Sequence, residues 1–520
     1  MSGGARPDPP RRVGELAHCG AERFGHAPAL VEAARRLDYR ELARAVDDAA
    51  NALAKLGVGP GDRALIVNEN CAAALVLALA ATLRDAWPVL VNARLSRREV
   101  EAIRAHCSPR RLFFTTEVSA EAARHAEALG ADPFPLPGVG TVAVGPRDDA
   151  AAPEPVPDDP SAQVAALIYT SGTMGAPKGV MLSHRNLLFA AMTGAGLRRL
   201  APGDRVYAAL PISHVFGLAS VSMSALLAGA ALHLVPRFTP EGLAGALADE
   251  DISVLPGVPV MYARLLDYLQ RTGRTVVAPR VRFLYAGGAP LDAQLKADVE
   301  ARFGQPLHNG YGLTETSPTV SQTRLEAPRA DLSIGPPVPG IEIRIVDCGG
   351  RAVASGETGE LHVRGPNVML GYYRAPELTA EALGADGWLH TGDLARQDES
   401  GNLFIAGRGK ELIIRSGFNV YPIEVEGVLN QHPAVSQSAV VGRAVAGDEE
   451  VVAFVELRAG AAATAEELRA FAAEGLAPYK RPGEVVVLAA LPATSTGKVL
   501  KARLRELAEE RNSGTADERR

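Results

Sequence analysis

The chain has 520 residues, of which 54 are basic and 60 acidic, giving a net charge of −6; 47% are apolar and 22% charged. That length exceeds one hydrophobic core, the composition excludes wholesale disorder, and the lack of a basic excess argues against nucleic acid or an anionic membrane surface as the main partner. The four cysteines, Cys19, Cys71, Cys107 and Cys348, form no CxxC or Cys/His cluster, which favours a reducing, cytoplasmic setting over a disulfide framework or structural zinc.

In chain order, the N-terminus runs through Arg6, Pro7, Pro9, Pro10, Arg11 and Arg12 without the apolar core of a signal peptide. Leu42 to Leu56 is apolar at helical spacing, Arg63 to Val67 reads as a strand, Cys71 to Leu83 as a helix and Pro88 to Val91 as another strand. Such alternation predicts an α/β fold, with parallel sheets covered by helices. Gly145 to Pro160 is rich in Pro, Ala and Asp and reads as a surface connector; a strand, Val164 to Tyr169, follows. The window Gly217 to Val235 carries no charge, but Ser220, Ser222, Ser224, Gly229 and His233 dilute it, so it is expected as a buried helix and no integral membrane segment is expected. From Gly407 onward the pattern shortens, with a strand at Val451 to Leu457 and helices at Thr464 to Ala473 and Val499 to Leu507. This predicts a large N-terminal domain over 1–406, a smaller α+β domain over 411–507 and a frayed charged tail over 508–520.

Only seven of the basic residues are lysines: Lys55, Lys178, Lys296, Lys410, Lys480, Lys498 and Lys501. A compact ammonium and a planar guanidinium are not interchangeable where one charge must meet one oxygen, so these lysines are candidates for specific work. Lys55 and Lys296 read as solvated helix-face residues. Lys178 closes the strongest motif, Ile168-Tyr169-Thr170-Ser171-Gly172-Thr173-Met174-Gly175-Ala176-Pro177-Lys178-Gly179. Here a strand runs into glycines that free backbone N–H groups, hydroxyls that add donors, and an ammonium, which together describe a polyphosphate cradle. It is not a P-loop, because Pro177 replaces the second glycine and Gly179 follows the lysine where a magnesium-binding hydroxyl would stand.

This loop resembles the signature of the adenylate-forming superfamily, and of acyl-CoA synthetases in particular. The resemblance continues in order through Pro211-Ile212-Ser213-His214-Val215-Phe216-Gly217, Gly287-Gly288-Ala289-Pro290, Gly310-Tyr311-Gly312-Leu313-Thr314-Glu315-Thr316 and Gly387-Trp388-Leu389-His390-Thr391-Gly392-Asp393. It ends with Gly407-Arg408-Gly409-Lys410, Ala477-Pro478-Tyr479-Lys480-Arg481-Pro482 and Thr494-Ser495-Thr496-Gly497-Lys498. The family implies two doubly wound sheets plus a distorted β-barrel, a mobile C-terminal domain hinged near Lys410, and the cofactors ATP, Mg²⁺ and coenzyme A. A homodimer is compatible with these features and not required by them.

By the same resemblance, Thr170 to Met174 and Lys178 cradle phosphate, the segment Tyr311 to Glu315 is the adenine platform with Tyr311 stacking on the base, Gly288, Ala289, Gly310 and Gly312 are cofactor-binding, and Thr314 touches phosphate. Glu315 is the implied magnesium ligand, as a hard cation prefers carboxylate oxygen. Asp393 and Arg408 are implied for ribose, and Lys498 for bridging the attacking carboxylate and the α-phosphate. His214, Phe216, Gly288 and Gly310 match residues around the acyl group, His214 beside the reacting centre.

The chain departs from the family in three places. Met174 replaces a usual threonine, and Ile414 and Ser416 stand where coumarate-CoA ligases carry lysines, so Arg415 or Arg237 is expected to contact coenzyme A phosphate and Gly417 its pantetheine. At Gly310 malonate-activating relatives carry arginine, so an apolar monocarboxylate, aliphatic or aryl, is expected because a second carboxylate finds no evident partner. The expected activity is ATP-dependent acyl-CoA synthesis through acyl-AMP, with loading of a separate carrier protein as the alternative.

Overall fold

The computed structural model describes residues 10–170, 177–275, 278–416, 418–445, 448–493 and 499–517. Strands Arg63–Asn68 and Trp87–Asn92 are buried along their whole length and pair in parallel, Arg63 opposite Trp87, at the centre of an eight-stranded sheet. A strand covered on both faces shows no polar face to water, which is why these segments read as apolar runs. Arg63 is fully buried because its guanidinium donates to four carbonyls, those of Cys107, Gly61, Ala152 and Ser108. The connector after Gly145 is thereby drawn onto the sheet, and Glu154 N–H also bonds the carbonyl of Gly61.

The second eight-stranded sheet runs in the order Thr319–Gln322, Leu307–Gly312, Phe283–Ala286, Val254–Gly257, Arg205–Ala208, Ala231–Leu234, Pro28–Glu32 and Arg35–Asp38. Helix Ala72–Leu83 joins the two sheets: its side chains share one apolar core with Ile66 and Leu90 of the first and Leu30, Val206 and Leu232 of the second. Each of its fully buried leucines contributes about 1.5–3 kcal/mol. Both sheets keep parallel interiors and end in antiparallel hairpins, Val164–Thr170 with Lys178–Ser183 in one and Leu307–Gly312 with Thr319–Gln322 in the other.

The element expected as a distorted β-barrel is a four-stranded antiparallel sheet of Glu342–Val346, Gly359–Arg364, Leu389–Gln397 and Leu403–Arg408. Beyond it, Val435–Val445, Asp448–Leu457 and Glu484–Leu488 form a small sheet with its own core. The period-2 alternation is plain on the middle strand. Val451, Ala453 and Val455 pack towards Leu429 and Leu468, while Val452 and Phe454 pack towards Leu504 and Ala508.

Three sequence expectations are corrected. The window 217–235 is not one helix but a π-helix, Phe216–Met223, a short α-helix, Ser224–Ala228, and a strand, Ala231–Leu234. Gly229, at φ +81°, ends the helix in the left-handed region that glycine accepts freely. Lys296 is buried rather than solvated, because Glu300 one turn later pairs with its ammonium. The last helix spans Lys501–Asp517, so 508–517 is helical rather than frayed, with Ala508 fully buried and Arg511 paired with Glu484 at 2.8 Å. Lys55 is exposed as expected. Among the described residues no helix is long and apolar enough to cross a membrane.

Candidate active site

The lysine of the glycine-rich motif is set by strand register. Thr170 pairs with Lys178 and Tyr169 with Gly179 across the hairpin, so the motif's turn begins and ends at one sheet edge. A side chain at 179 would press on Leu167 and Tyr169 at 3.0 and 3.2 Å, which explains the glycine after the lysine. The Lys178 ammonium lies 5.3 Å from the centre of the Tyr372 ring, a favourable cation–π placement. Tyr372 is held there because Gly371 and Tyr372 add a strand to the same edge, opposite Met181 and Val180. Its hydroxyl donates to Glu315 Oε1 at 2.8 Å. Burial and the Glu315 carboxylate push this phenol far above its ordinary pKa, so it stays a donor throughout the neutral range.

Glu315 sits in a one-turn 3-10 helix, Thr314–Thr316, which Thr316 closes by accepting from Leu313 N–H at 2.9 Å. The glycine at 312 is obligatory, because a Cβ there would fall far inside contact with the carbonyl oxygen of Pro318. Thr314 is buried and Glu315 half-buried. Among the described residues the second carboxylate oxygen of Glu315 takes no hydrogen bond. One tethered and one free oxygen is a donor set that suits a hard divalent cation.

On the preceding strand, Tyr311 donates to Asp393 Oδ2 at 2.5 Å. Asp393 faces Arg408 across its own antiparallel pair, with Arg408 Nε 3.1 Å from Oδ1, while its backbone N–H bonds Thr391 Oγ1 at 3.1 Å. Burial and the adjacent carboxylate raise the Tyr311 phenol well above its usual value, so it too remains protonated. The carboxylate is buried while the guanidinium reaches solvent, leaving a polar, half-open pair beside an aromatic ring.

His214 is half-buried and its Nδ1 accepts from Phe216 N–H at 3.2 Å. Phe216 packs edge-on to Tyr285, ring centres 5.6 Å apart, and a Cβ at Gly287 or Gly288 would meet its ring at 3.4 or 3.9 Å. Gly288 has φ +79°, and Ala289 beside it is half-buried. Gly310 can carry no side chain, because a Cβ would strike the Tyr285 hydroxyl.

Other expected residues stand apart. Arg237 Nη2 pairs with Glu69 at 2.8 Å and Glu121 at 3.1 Å, so its charge is committed to carboxylates rather than to the cluster around Glu315. Arg415 donates to the carbonyl of Arg481 at 2.7 Å, and Lys480 pairs with Glu424 at 2.5 Å. Lys410 is exposed in a 3-10 turn, Gly409–Glu411. Glu411 of that turn and Glu426 meet Lys501 at 3.1 and 2.8 Å; burial opposes this ammonium, yet the two carboxylates hold its pKa above the ordinary lysine value. Ser171, Gly172, Thr173, Met174, Gly417 and Lys498 lie outside the described residues. Sequence reasoning missed Tyr372, whose only signal was a strand-like Gly-Tyr-Tyr run.

A family model described as AMP-binding enzyme matches residues 19–373, and a second, AMP-binding enzyme C-terminal domain, matches 424–498. The chain belongs to the AMP-binding enzyme family. This family member is 36% identical to a feruloyl-CoA synthase from an Amycolatopsis species, over 92% of this chain and 96% of that one. It is 38% identical to a long-chain-fatty-acid–CoA ligase of Bacillus subtilis over 67% of this chain, a match that spans 62% of the relative's length. The solved structure of ATP-bound MatB from Rhodopseudomonas palustris is similar along 95% of this chain and 98% of its own, with 32% identity and a TM-score of 0.83. The AMP-binding enzyme described here is thus an adenylate-forming, ATP-using acid–CoA ligase of the acyl-CoA synthetase type.

Proposed function

We propose that the protein converts a carboxylic acid with an apolar body, fatty or aryl, into its coenzyme A thioester through an acyl-adenylate. The observation that carries this reading is a run of contacts joining four distant segments: Lys178 to Tyr372, Tyr372 to Glu315, and, on the strand leading to Glu315, Tyr311 to Asp393 to Arg408. Cationic, aromatic, acidic and hydroxyl groups in that order match a triphosphate, a base and a ribose laid along one surface. Lys178 and Thr314 then meet phosphate, the Tyr311 ring meets adenine, and Asp393 accepts from the ribose hydroxyls with Arg408 steadying it. Glu315 would hold magnesium, which supplies neutralisation of phosphate charge when bound.

The acid's carboxylate oxygen attacks the α-phosphorus, the bond to pyrophosphate breaks, and pyrophosphate leaves. The thiol sulfur of coenzyme A next attacks the acyl carbon, AMP departs, and the thiol proton passes to solvent. Such displacements need positioning and charge stabilisation rather than a protein nucleophile. Lys498 is assigned to the first step and Lys410 to a hinge that exchanges the groups serving the two steps. The names of relatives, a feruloyl-CoA synthase and a long-chain-fatty-acid–CoA ligase, support an acid with an apolar body, as does the wall of Phe216, Gly287 and Gly288.

The test is thioester formation from ATP, Mg²⁺ and a panel of fatty and aryl acids, with free coenzyme A compared against a carrier protein bearing a pantetheine arm. Thioester on coenzyme A with matching AMP and pyrophosphate is the expected result. Acylation of the carrier alone would overturn the assignment of the acceptor.

A further inference from the structure

Helix His184–Leu197 begins at the Ser183 cap beside the lysine strand and ends at Arg198. Arg198 is 3% exposed, yet its guanidinium has no carboxylate within ion-pair distance among the described residues. Its Nε donates to Gln322 Oε1 at 3.2 Å, Nη2 to Ser220 Oγ at 2.6 Å, and Nη1 to the carbonyl of Ser220. The guanidinium carbon lies 4.5 Å above the Tyr285 ring. The Gln322 amide is oriented by its oxygen towards Arg198, and its Nε2 is buried without any hydrogen-bond partner. The cluster gives each guanidinium nitrogen a neutral acceptor but leaves the Gln322 amide donor unmatched, and a buried cation without an anion is costly.

Two other buried arginines show the contrast. Arg63 satisfies its donors with four backbone carbonyls, and Arg443 pairs with Glu450 and Glu484. Arg198 instead places its three nitrogens on neutral acceptors, an amide oxygen, a backbone carbonyl and a hydroxyl, beside the Tyr285 ring, and its position is telling. Gln322 is the cross-strand partner of Gly310, so both lie on one sheet face, the face where Tyr285 covers Gly310 and Phe216 packs on Tyr285. Ser220 follows Phe216 by about one turn of the π-helix, and burial increases from half-buried His214 through Phe216 at 6% exposure to Ser220 at 1%. The arginine is therefore one turn deeper than the residues assigned to the acyl group.

We infer that Arg198, with Gln322 and Ser220, is the specificity determinant at the deep end of the acyl site and takes acids whose far end bears a hydrogen-bond-accepting oxygen, a second carboxylate or a ketone. This narrows the proposed function and rests on it, and it sets aside the expectation of a wholly apolar acid. A distal carboxylate would supply the missing anion through a two-pronged pair with the guanidinium; a ketone would satisfy the orphaned amide without charge. In either form the middle of the acid runs past Phe216 and its apolar wall.

The experiment uses the full chain and saturated and aryl acids of matched length ending in methyl, ketone or carboxylate, followed by pyrophosphate release. Wild type should favour one of the oxygen-ended acids over its methyl-ended partner by at least about a hundredfold in kcat/KM, a site built for a polar group rejecting an analogue lacking it by up to about 10⁴–10⁵. In Arg198→Met that ratio should collapse towards one, mainly through KM, and Arg198→Lys should restore part of it for the carboxylate-ended acid only. A purely structural arginine would lower turnover of all acids alike and leave the ratio unchanged, which overturns the inference. So does a wild-type preference for the methyl-ended acid, a measurement that needs no variant to fold. Pyrophosphate release from no acid at all would instead sink the ligase reading on which the inference stands.

Discussion

Tyr372→Phe removes one oxygen and leaves the ring, so the cation–π contact with Lys178 and the strand pairing with Val180 persist. What is lost is the 2.8 Å hydrogen bond that fixes Glu315 Oε1. A hydrogen bond to a charged group is worth about 1.5–3 kcal/mol. At about 1.4 kcal/mol per decade, a contact that orients the carboxylate proposed to hold magnesium corresponds to a fall of roughly ten- to a hundredfold in kcat/KM for MgATP. The loss should appear as a higher requirement for free Mg²⁺, with partial recovery at high magnesium, because the carboxylate remains and only its orientation is relaxed. Pyrophosphate release titrated against Mg²⁺ at fixed ATP measures this, and thermal melting separates it from general destabilisation. An unchanged magnesium dependence in a folded variant would refute the assignment of Glu315 as the ligand and of Tyr372 as its positioning residue.

Lys498→Ala should lower adenylate formation by about two to three orders of magnitude, the scale for losing one preorganised charge contact, while supplied acyl-adenylate is still converted to thioester; near-normal pyrophosphate release would contradict its role. Gly312→Ala forces a methyl group into the Pro318 carbonyl, so the 3-10 turn bearing Thr314 and Glu315 must shift, and both melting temperature and ATP use should fall together. Burial, helped by nearby Arg12 and Lys296 respectively, pulls the buried imidazoles of His184 and His308 down to about 4 from an ordinary 6.5. The unfolded chain therefore binds more protons between those values, so stability is whole above pH 6.5 and lost as pH falls towards 4. Each histidine should cost about 2 kcal/mol by pH 5, seen as a lower urea midpoint than at pH 7; equal midpoints would show that the two rings are protonated in the folded state.

The fold was legible where burial left a periodic mark. The capping pair Thr464 and Glu467 and the run Ala465–Gly475 announce a helix, and Arg63–Asn68 announces a central strand. The cluster of Tyr311, Asp393 and Arg408 was expected only through the family resemblance, since each residue alone reads as an ordinary turn tyrosine or loop charge. Tyr372 escaped notice since its role comes from a two-residue strand added to the Lys178 edge, a tertiary event with no local periodicity. Lys296 looked solvated because nothing on its own helix reveals that Leu307 N–H and His308 close over the Glu300 pair. Arg198 reads as one more arginine in an arginine-rich chain; its burial among neutral acceptors beside the unmatched Gln322 amide emerges only in three dimensions.

The hairpin that presents Lys178 sets the backbone at that residue by ladder pairing with Thr170. Lengthening or shortening the turn is therefore a different kind of change from adding one residue to either strand. The first leaves the register of Lys178 against Thr170 as it was. The second slips the ladder by one, turns every side chain of the strand over, and sends the lysine to the opposite surface of the sheet.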